Sequence, residues 1–318
     1  MKNIQSISVI IPTRNEDIKL AQSALNSVAW VDDILIADSS QTRAEMENVK
    51  RFARKNNARY IQREYKYSAD FKNWAIPQAK EDWILLLDSD EIVTVKLKKY
   101  IQQLLTSDGI KKLDGFGIAR KHFFFGIFLR YGGRYPLYNV RLFRKECRYE
   151  DRDVHAHIIL DKEKLKNISP EDGDILHYSD RNFDQFFERF NRYSDCQANY
   201  IRKIFQLKRD IKIKRFFTNY NYFKATVKDI WFFIPGAPLL RFLWMYVVRL
   251  GVLDGRYGLA IAMLYGFQDY VSKTKYYLLI GEKVIIRCKI QNILIHAISL
   301  IFGKKQLRIN YKECLNLS

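Results

Sequence analysis

Two aspartates one residue apart, Asp88-Ser89-Asp90, directly follow the apolar run Trp83-Ile84-Leu85-Leu86-Leu87. Carboxylates at that spacing, on the tip of a buried strand, can hold a hard divalent cation through oxygen, and such a cation can bridge a substrate diphosphate. A bare Asp-x-Asp also occurs in solvated turns, so its place in the fold has to decide between the two. Another aspartate, Asp38, closes an earlier apolar run, and Pro12-Thr13-Arg14-Asn15-Glu16 follows the first one. Thr13 to Glu16 also suits a helix start, where acidic residues complement the positive end.

The elements that must position these groups alternate through the N-terminal third. Ser6–Ile11, Asp33–Ala37, Arg59–Gln62 and Trp83–Leu87 read as strands, and Asp17–Val28, Arg43–Asn56 and Asp70–Ala79 read as helices. Alternating βα units predict an α/β domain with a mostly parallel sheet and helices on both faces. Ligands of such sheets bind outside the carboxyl ends of the strands, which is where Pro12–Glu16, Asp38 and Asp88–Glu91 all fall. From Gly115 to His177 the pattern becomes irregular, with short segments at Gly115–Arg120, Asn139–Arg144 and Val154–Leu160. A helix is expected over 180–204, with Phe183, Phe187, Phe190 and Tyr193 on one face. The division falls near residue 205, giving 1–205, with halves of about 1–115 and 116–205, and a basic, aromatic 206–318.

Several ordered motifs resemble family-2 glycosyltransferases, which have the GT-A Rossmann-like nucleotide-sugar-binding fold. Ser8-Val9-Ile10-Ile11-Pro12-Thr13-Arg14-Asn15-Glu16 is similar to their opening strand and loop, and Ile34-Leu35-Ile36-Ala37-Asp38-Ser39 to their second strand. Phe71-Lys72-Asn73-Trp74-Ala75 and Trp83–Glu91 resemble the donor-site helix and the Asp-x-Asp strand. Gly132-Gly133, Val140-Arg141-Leu142-Phe143-Arg144, Val154-His155, Leu176-His177-Tyr178-Ser179, Asn191-Arg192-Tyr193-Ser194 and Arg249–Gly255 resemble the subgroup of lipopolysaccharide core β-glucosyltransferases. Together they cover most of the chain to about residue 281.

The resemblance implies roles for particular residues. Pro12, Thr13, Asn15 and Glu16 line the nucleotide pocket, Glu16 accepts from ribose hydroxyls, and Asp38 accepts from the base, which suits uracil. Lys72, Asp88 and Ser89 contact the donor; solvated surface is the plain alternative for Lys72. Asp90, with Asp88, binds Mg²⁺ or Mn²⁺, which neutralises charge on the departing diphosphate. His177 is a further metal or diphosphate contact, or a core histidine. Either Arg141 or Arg144 reaches the diphosphate, as a planar fork of donors allows. The catalytic base departs from the pattern. The subgroup's Val-His-Glu reads Val154-His155-Ala156-His157 here, so the carboxylate is missing at Ala156. Asp153, Asp151 and His155 are the nearby candidates, beside the plain alternatives of a polar turn and a structural histidine. Asp153 and His155 share one strand face and Ala156 lies on the other.

The chain of 318 residues carries a formal net charge of +19, with 48% hydrophobic and 14% aromatic residues. Such a chain buries a core and attracts a polyanion. Its four cysteines form no Cys-x-x-Cys pair, which disfavours a thiolate zinc site or a disulfide scaffold and suits a reducing cytosol. Apolar stretches at 230–240, 242–248, 257–268 and 290–303 fall short of the ~18 uncharged residues of a membrane span. From Lys208 to Lys305, Lys and Arg interleave with Phe, Tyr, Trp and Ile. That pattern suits amphipathic helices in an anionic headgroup layer, or the packing of a helical subdomain. Nucleic-acid binding through charge and stacking lacks any recognisable motif. The expectation is a peripheral enzyme at the cytoplasmic face of the inner membrane. It is an inverting, metal-dependent transferase moving glucose or another hexose from a UDP-sugar to a lipid-linked saccharide such as lipopolysaccharide core. The alternatives are transfer to a polyprenyl phosphate or another envelope glycan, an inactive donor-binding homologue, and a nucleic-acid-binding protein.

Overall fold

The structure, a computed structural model, describes residues 5–151, 156–180, 183–206, 227, 231, 234 and 236–280. It is mixed α/β. Strands β1 (Ile7–Thr13), β2 (Asp33–Asp38), β3 (Arg59–Gln62) and β4 (Trp83–Leu86) alternate with helices α1 (Ile18–Ser27), α2 (Arg43–Lys55) and α3 (Ser68–Ala75). There follow β5 (Glu91–Val93), α4 (Val95–Leu105), β6 (Gly115–Phe124), β7 (Ile127–Phe128), β8 (Tyr138–Arg144), β9 (Arg148–Tyr149), β10 (Ile158–Ile159), β11 (Leu165–Asn167) and β12 (Ile175–Asp180). Helices α5 (Phe183–Gln206), α6 (Ala237–Leu243) and α7 (Gly255–Leu279) complete the described elements.

A ten-stranded sheet runs in the order β3-β2-β1-β4-β8-β6-β12-β5, with β7 and β11 attached to β6. Pairing is parallel from β3 through β4. Antiparallel pairing begins at β8, which lies between β4 and β6. The inner parallel strands β1, β2 and β4 read as mostly apolar runs because helices cover both their faces. Alternate residues face opposite ways. Val9, Ile11, Ile34, Ile36, Trp83 and Leu85 meet the buried sides of α1, α2 and α4. Ile10, Leu35, Ile84 and Leu86 meet Phe71, Ala75 and Ile76 on the other side.

Local chemistry sets the helix boundaries. Thr42 and Glu45 form a reciprocal capping box at the start of α2. The helix expected over Asp70–Ala79 is α3 followed by a single 3-10 turn at Ile76–Gln78, because Pro77 lacks the N–H that would continue it. Of the strand expected over Val154–Leu160, the described residues form only Ile158–Ile159.

Asp33, at the amino end of β2, ties three segments together. It accepts from Arg59 through Nε at 2.7 Å and Nη2 at 2.9 Å, from the Ser8 hydroxyl, and from Lys80 N–H at 3.1 Å. Burial opposes ionisation of this carboxyl, but Arg59, Ser8 and Lys80 outweigh it and lower its pKa. The folded pKa therefore lies below the unfolded value of about 3.9. The stabilisation is complete above that pH and is lost as pH falls through the folded value. Asp33→Asn is expected to cost about 2 kcal/mol at pH 7, less than for an enclosed pair because Arg59 is 34% exposed. Urea titrations should also show the variant losing less stability than the parent below about pH 4.

The chain divides into two compact units, Met1–Phe186 with Trp244–Ala262, and Phe187–Leu243 with Met263–Ser318. In the second, Phe190 stacks on Phe267, and buried Asp269 accepts from Arg241 at 2.5 Å and Trp231 at 3.2 Å. Helix α5 does not bury the face that its large aromatics suggest. Phe183, Phe187 and Tyr193 are exposed, and the buried stripe is Phe186, Phe190, Ser194, Ala198 and Ile201. Among the described residues no helix is long and apolar enough to cross a membrane. Most of the basic, aromatic stretch from Lys208 to Lys305 lies outside the described residues.

Candidate active site

The register of the parallel strands builds the site. Thr13 lies opposite Asp38, and Ile10 opposite Leu86, so the ends of β1, β2 and β4 share one edge. Leu87 N–H donates to Ile10 C=O at 3.0 Å, which sets the Asp88–Asp90 turn on that edge.

Asp88 sits between two cations. Lys72 Nζ lies 3.0 Å from its Oδ1, and Arg141 Nη2 donates to its Oδ2. Burial raises the pKa of Asp88, but Arg141 and Lys72 overcome it and hold the carboxyl well below the usual carboxylate range. Burial likewise works against the charge on Lys72, and Asp88 reverses that. Behind them stands Glu91, fully buried. Its Oε1 accepts from Arg141 at 2.6 Å and Arg120 at 3.1 Å, and its Oε2 accepts from Asp88 N–H at 3.0 Å. Glu91 thus closes the aspartate turn and fixes the arginine that faces it.

Asp90 belongs to a second group. Its Oδ2 lies 3.4 Å from His177 Nε2, and its C=O accepts from Tyr178 N–H at 3.0 Å. His177 Nδ1 is 2.9 Å from His122 Nδ1, with the rings nearly perpendicular at 77°. These contacts follow from the sheet, since His177 on β12 is registered against both His122 on β6 and Glu91 on β5. Burial, then His177 and three arginines, push the His122 pKa down to about 2, so this ring is neutral. Burial disfavours ionised Asp90, but the His177 contact more than offsets it and the pKa is lowered.

Helix α3 joins these groups to the neighbouring loop. Phe71 enters the core, Lys72 reaches Asp88, and Asn73 exchanges two hydrogen bonds with the Tyr149 backbone at 2.7 and 3.0 Å. Tyr67, which precedes the helix, donates its hydroxyl to exposed Asp151. Asp153 and His155 lie outside the described residues.

At the other end of the edge, Asn15 N–H donates to Ser40 Oγ at 3.0 Å, and Ser40 Oγ donates to Asp38 Oδ1 at 2.6 Å. Asp38 is fully buried, and its Oδ2 accepts from Tyr60 at 2.9 Å. It therefore shapes this end of the edge through Ser40 and Tyr60. Thr13 is buried and Pro12 half-buried, while exposed Glu16 pairs with Arg14 at 3.0 Å. Ser89 is half-buried on the aspartate turn.

The structure distinguishes the two arginines. Arg141 is buried against Asp88, whereas Arg144 is registered with Trp83 at the amino end of β4 and lies 4.3 Å over its ring. Arg144 is thus at the opposite edge of the sheet, away from Asp88. Glu91, Arg120, His122 and Tyr67 were not singled out by spacing. Glu91 had a signal in directly following the aspartates, while His122 had none without strand register. Among the described residues, no group of three or more His, Cys, Asp or Glu is arranged to hold a metal ion.

Residues 8–165 match the model of glycosyl transferase family 2. The chain carries a family 2 glycosyltransferase domain. That domain contains Lys72, Asp88, Asp90, Glu91, His122 and Arg141, and His177 follows it. An uncharacterized glycosyltransferase of Rickettsia typhi is 23% identical over 75% of this chain and 78% of its own. One from Rickettsia felis is 23% identical over 89% and 94% respectively. The crystal structure of S. aureus TarS 1-349 in complex with UDP-GlcNAc aligns with a TM-score of 0.42 at 14% identity, over 86% of this chain and 92% of that one. So slight a likeness transfers no ligand to the glycosyltransferase domain here.

Proposed function

We propose that the chain is an inverting GT-A-type glycosyltransferase of the lipopolysaccharide core β-glucosyltransferase kind. It moves glucose or another hexose from a UDP-sugar to a lipid-linked saccharide at the cytoplasmic face of the inner membrane. The observation that carries this reading is the pairing of Asp90, within the family 2 domain, with His177, which follows it, beside the Lys72–Asp88–Arg141 cluster at the carboxyl edge of the parallel strands.

The donor set fits a divalent cation in part. Asp90, in the turn before β5, and His177, on β12, offer an oxygen and a nitrogen, whereas both oxygens of Asp88 are already engaged by cations. Asp90 and His177 are therefore the residues that would hold Mg²⁺ or Mn²⁺. In this reading Asp88 positions Lys72 and Arg141 rather than serving as the second carboxylate ligand expected beside Asp90. When bound, the ion supplies charge neutralisation on the departing diphosphate. Arg141 and Lys72 add fixed positive charge beside the same group, pre-oriented by Asp88 and Glu91. The uracil end lies toward Asn15, Glu16 and the Asp38–Ser40 turn. Asp151, Asp153 or His155 takes the acceptor hydroxyl's proton, in place of the carboxylate absent at Ala156.

The direct test is thermal stabilisation by a panel of nucleoside diphosphate sugars with and without Mn²⁺, followed by product formation. Stabilisation by UDP-sugars that depends on Mn²⁺ is expected. No stabilisation by any donor would overturn the reading, and stabilisation without transfer to any acceptor would mark an inactive donor-binding protein.

His122 gives a narrower expectation. A histidine ligand is normally oriented by a hydrogen bond to its second nitrogen, and losing that partner costs about 10–100-fold in metal affinity. His122→Phe should weaken Mn²⁺ binding by that factor, measured by electron paramagnetic resonance without donor present. His122→Asn, which keeps a polar group near His177, should recover part of it.

A further inference from the structure

The turn from Trp244 to Leu253, in the first compact unit, places apolar side chains outward on a fixed backbone. Trp244, Val247, Val248, Leu250, Val252 and Leu253 are each between 45% and 60% exposed, while Met245 is buried beneath them. The turn is firmly held. Arg249 N–H donates to Trp244 C=O at 2.8 Å, and Gly132 N–H donates to Arg249 C=O at 2.8 Å. The Asp254 carboxylate accepts from the backbone N–H groups of Arg130 at 3.2 Å and Tyr131 at 2.8 Å. A Cβ at Gly251 would meet Met245 C=O at 2.7 Å, so the backbone passes too closely for any other residue. Leu250 has φ of 57°, a left-handed conformation that β-carbon sterics disfavour. Its side chain is nonetheless half-exposed, so burial within this unit does not compensate it.

We propose that this turn is a membrane-insertion wedge, seating the first unit in the headgroup layer of an anionic bilayer. Charge selects that occupant. Arg249 and Arg256 are exposed beside the apolar groups, as is Arg130. Asp254, the acidic residue of the Trp244–Ala262 segment, turns inward onto backbone amides. What faces outward is therefore apolar and cationic, and the chain as a whole carries +19. Indole at an edge between apolar and charged groups suits the membrane interface. Aliphatic insertion combined with arginine attraction matches anionic lipid. The wedge deepens the lipid-linked-acceptor reading and rests on it for its purpose.

The test uses the full chain with vesicles of phosphatidylcholine containing about one-third phosphatidylglycerol, an anionic surface that attracts Lys and Arg. Vesicles should shift tryptophan emission to the blue, and Trp244→Phe should remove most of that shift. The pair Val247→Asp with Leu253→Asp should lower vesicle partitioning at least about tenfold, since two inserting side chains become charged. UDP binding should stay at the parent level, showing that the variant is folded. Arg249→Ser, which leaves the apolar groups intact, should weaken binding to anionic but not to neutral vesicles. Parent-level flotation of the double variant, or an unchanged shift in Trp244→Phe, overturns the wedge while leaving a membrane-bound transferase standing. No flotation of the parent overturns both. A parent that is dimeric and becomes monomeric in the double variant identifies a second copy as the occupant and also overturns the wedge.

Discussion

Asp90→Asn is expected to lower transfer by about 10²–10⁴-fold and to abolish measurable Mn²⁺ binding, while the urea midpoint stays near the parent's. The metal's stabilisation of a departing diphosphate is worth several kcal/mol, and each 1.36 kcal/mol is tenfold in rate. An amide in place of Asp90 keeps the shape and the Tyr178 backbone contact, but it removes the anionic oxygen that lies 3.4 Å from His177. The neighbouring substitution separates two roles. Asp88→Asn removes the charge between Lys72 and Arg141, so it should destabilise the fold and disturb donor binding, yet leave Mn²⁺ affinity within about tenfold, the lower range for an outer-shell partner. Isothermal titration with Mn²⁺ and with UDP reads both. Parent-level Mn²⁺ affinity in Asp90→Asn would remove Asp90 from the metal role, and loss of all Mn²⁺ binding in Asp88→Asn would return Asp88 to it.

The edge that carries this chemistry was legible because strand and helix periods differ. The apolar runs of β1, β2 and β4, broken by amphipathic segments, could only form a covered parallel sheet, whose carboxyl ends hold Pro12, Asp38 and Asp88. The pairings across that edge were not legible. Arg141 and Arg144 lie in one alternating run, and only the antiparallel register of β8 on β4 sends the first to Asp88 and the second to Trp83. The partner of His177 was hidden for the same reason, since His122 lies on another strand, joined through the β6–β12 register. Helix α5 shows a different limit. Its large aromatics stand out in the sequence, but Ser194 and Ala198 occupy the buried stripe with Phe186, Phe190 and Ile201, because small side chains let neighbouring elements approach closely.

Glu91→Ala should be the most destabilising single change at the site. The carboxylate is fully buried and serves Arg141, Arg120 and the backbone of the aspartate turn together. Removing one partner of a buried ion pair costs about 3–5 kcal/mol, because the remaining charge stays desolvated without compensation. Here Arg141 would keep Asp88, which it shares with Lys72, and Arg120 would lose its carboxylate partner. Glu91→Gln keeps an acceptor for one arginine but not the charge, so about half that loss is expected. Urea unfolding at pH 7 gives both values. A double-mutant cycle with Arg141→Met then isolates the pair, and contacting residues in one network should couple by about 0.5–3 kcal/mol. The Glu91 carboxylate bonds to Arg141, Arg120 and the Asp88 N–H rather than to the side chains of Asp90 or His177, so its effect on transfer should pass through Arg141. In Glu91→Gln, UDP-sugar affinity should fall while Mn²⁺ affinity without donor stays at the parent level. A Glu91→Ala midpoint equal to the parent's, or additive effects with Arg141→Met, would show that the buried carboxylate does not hold the arginine in place.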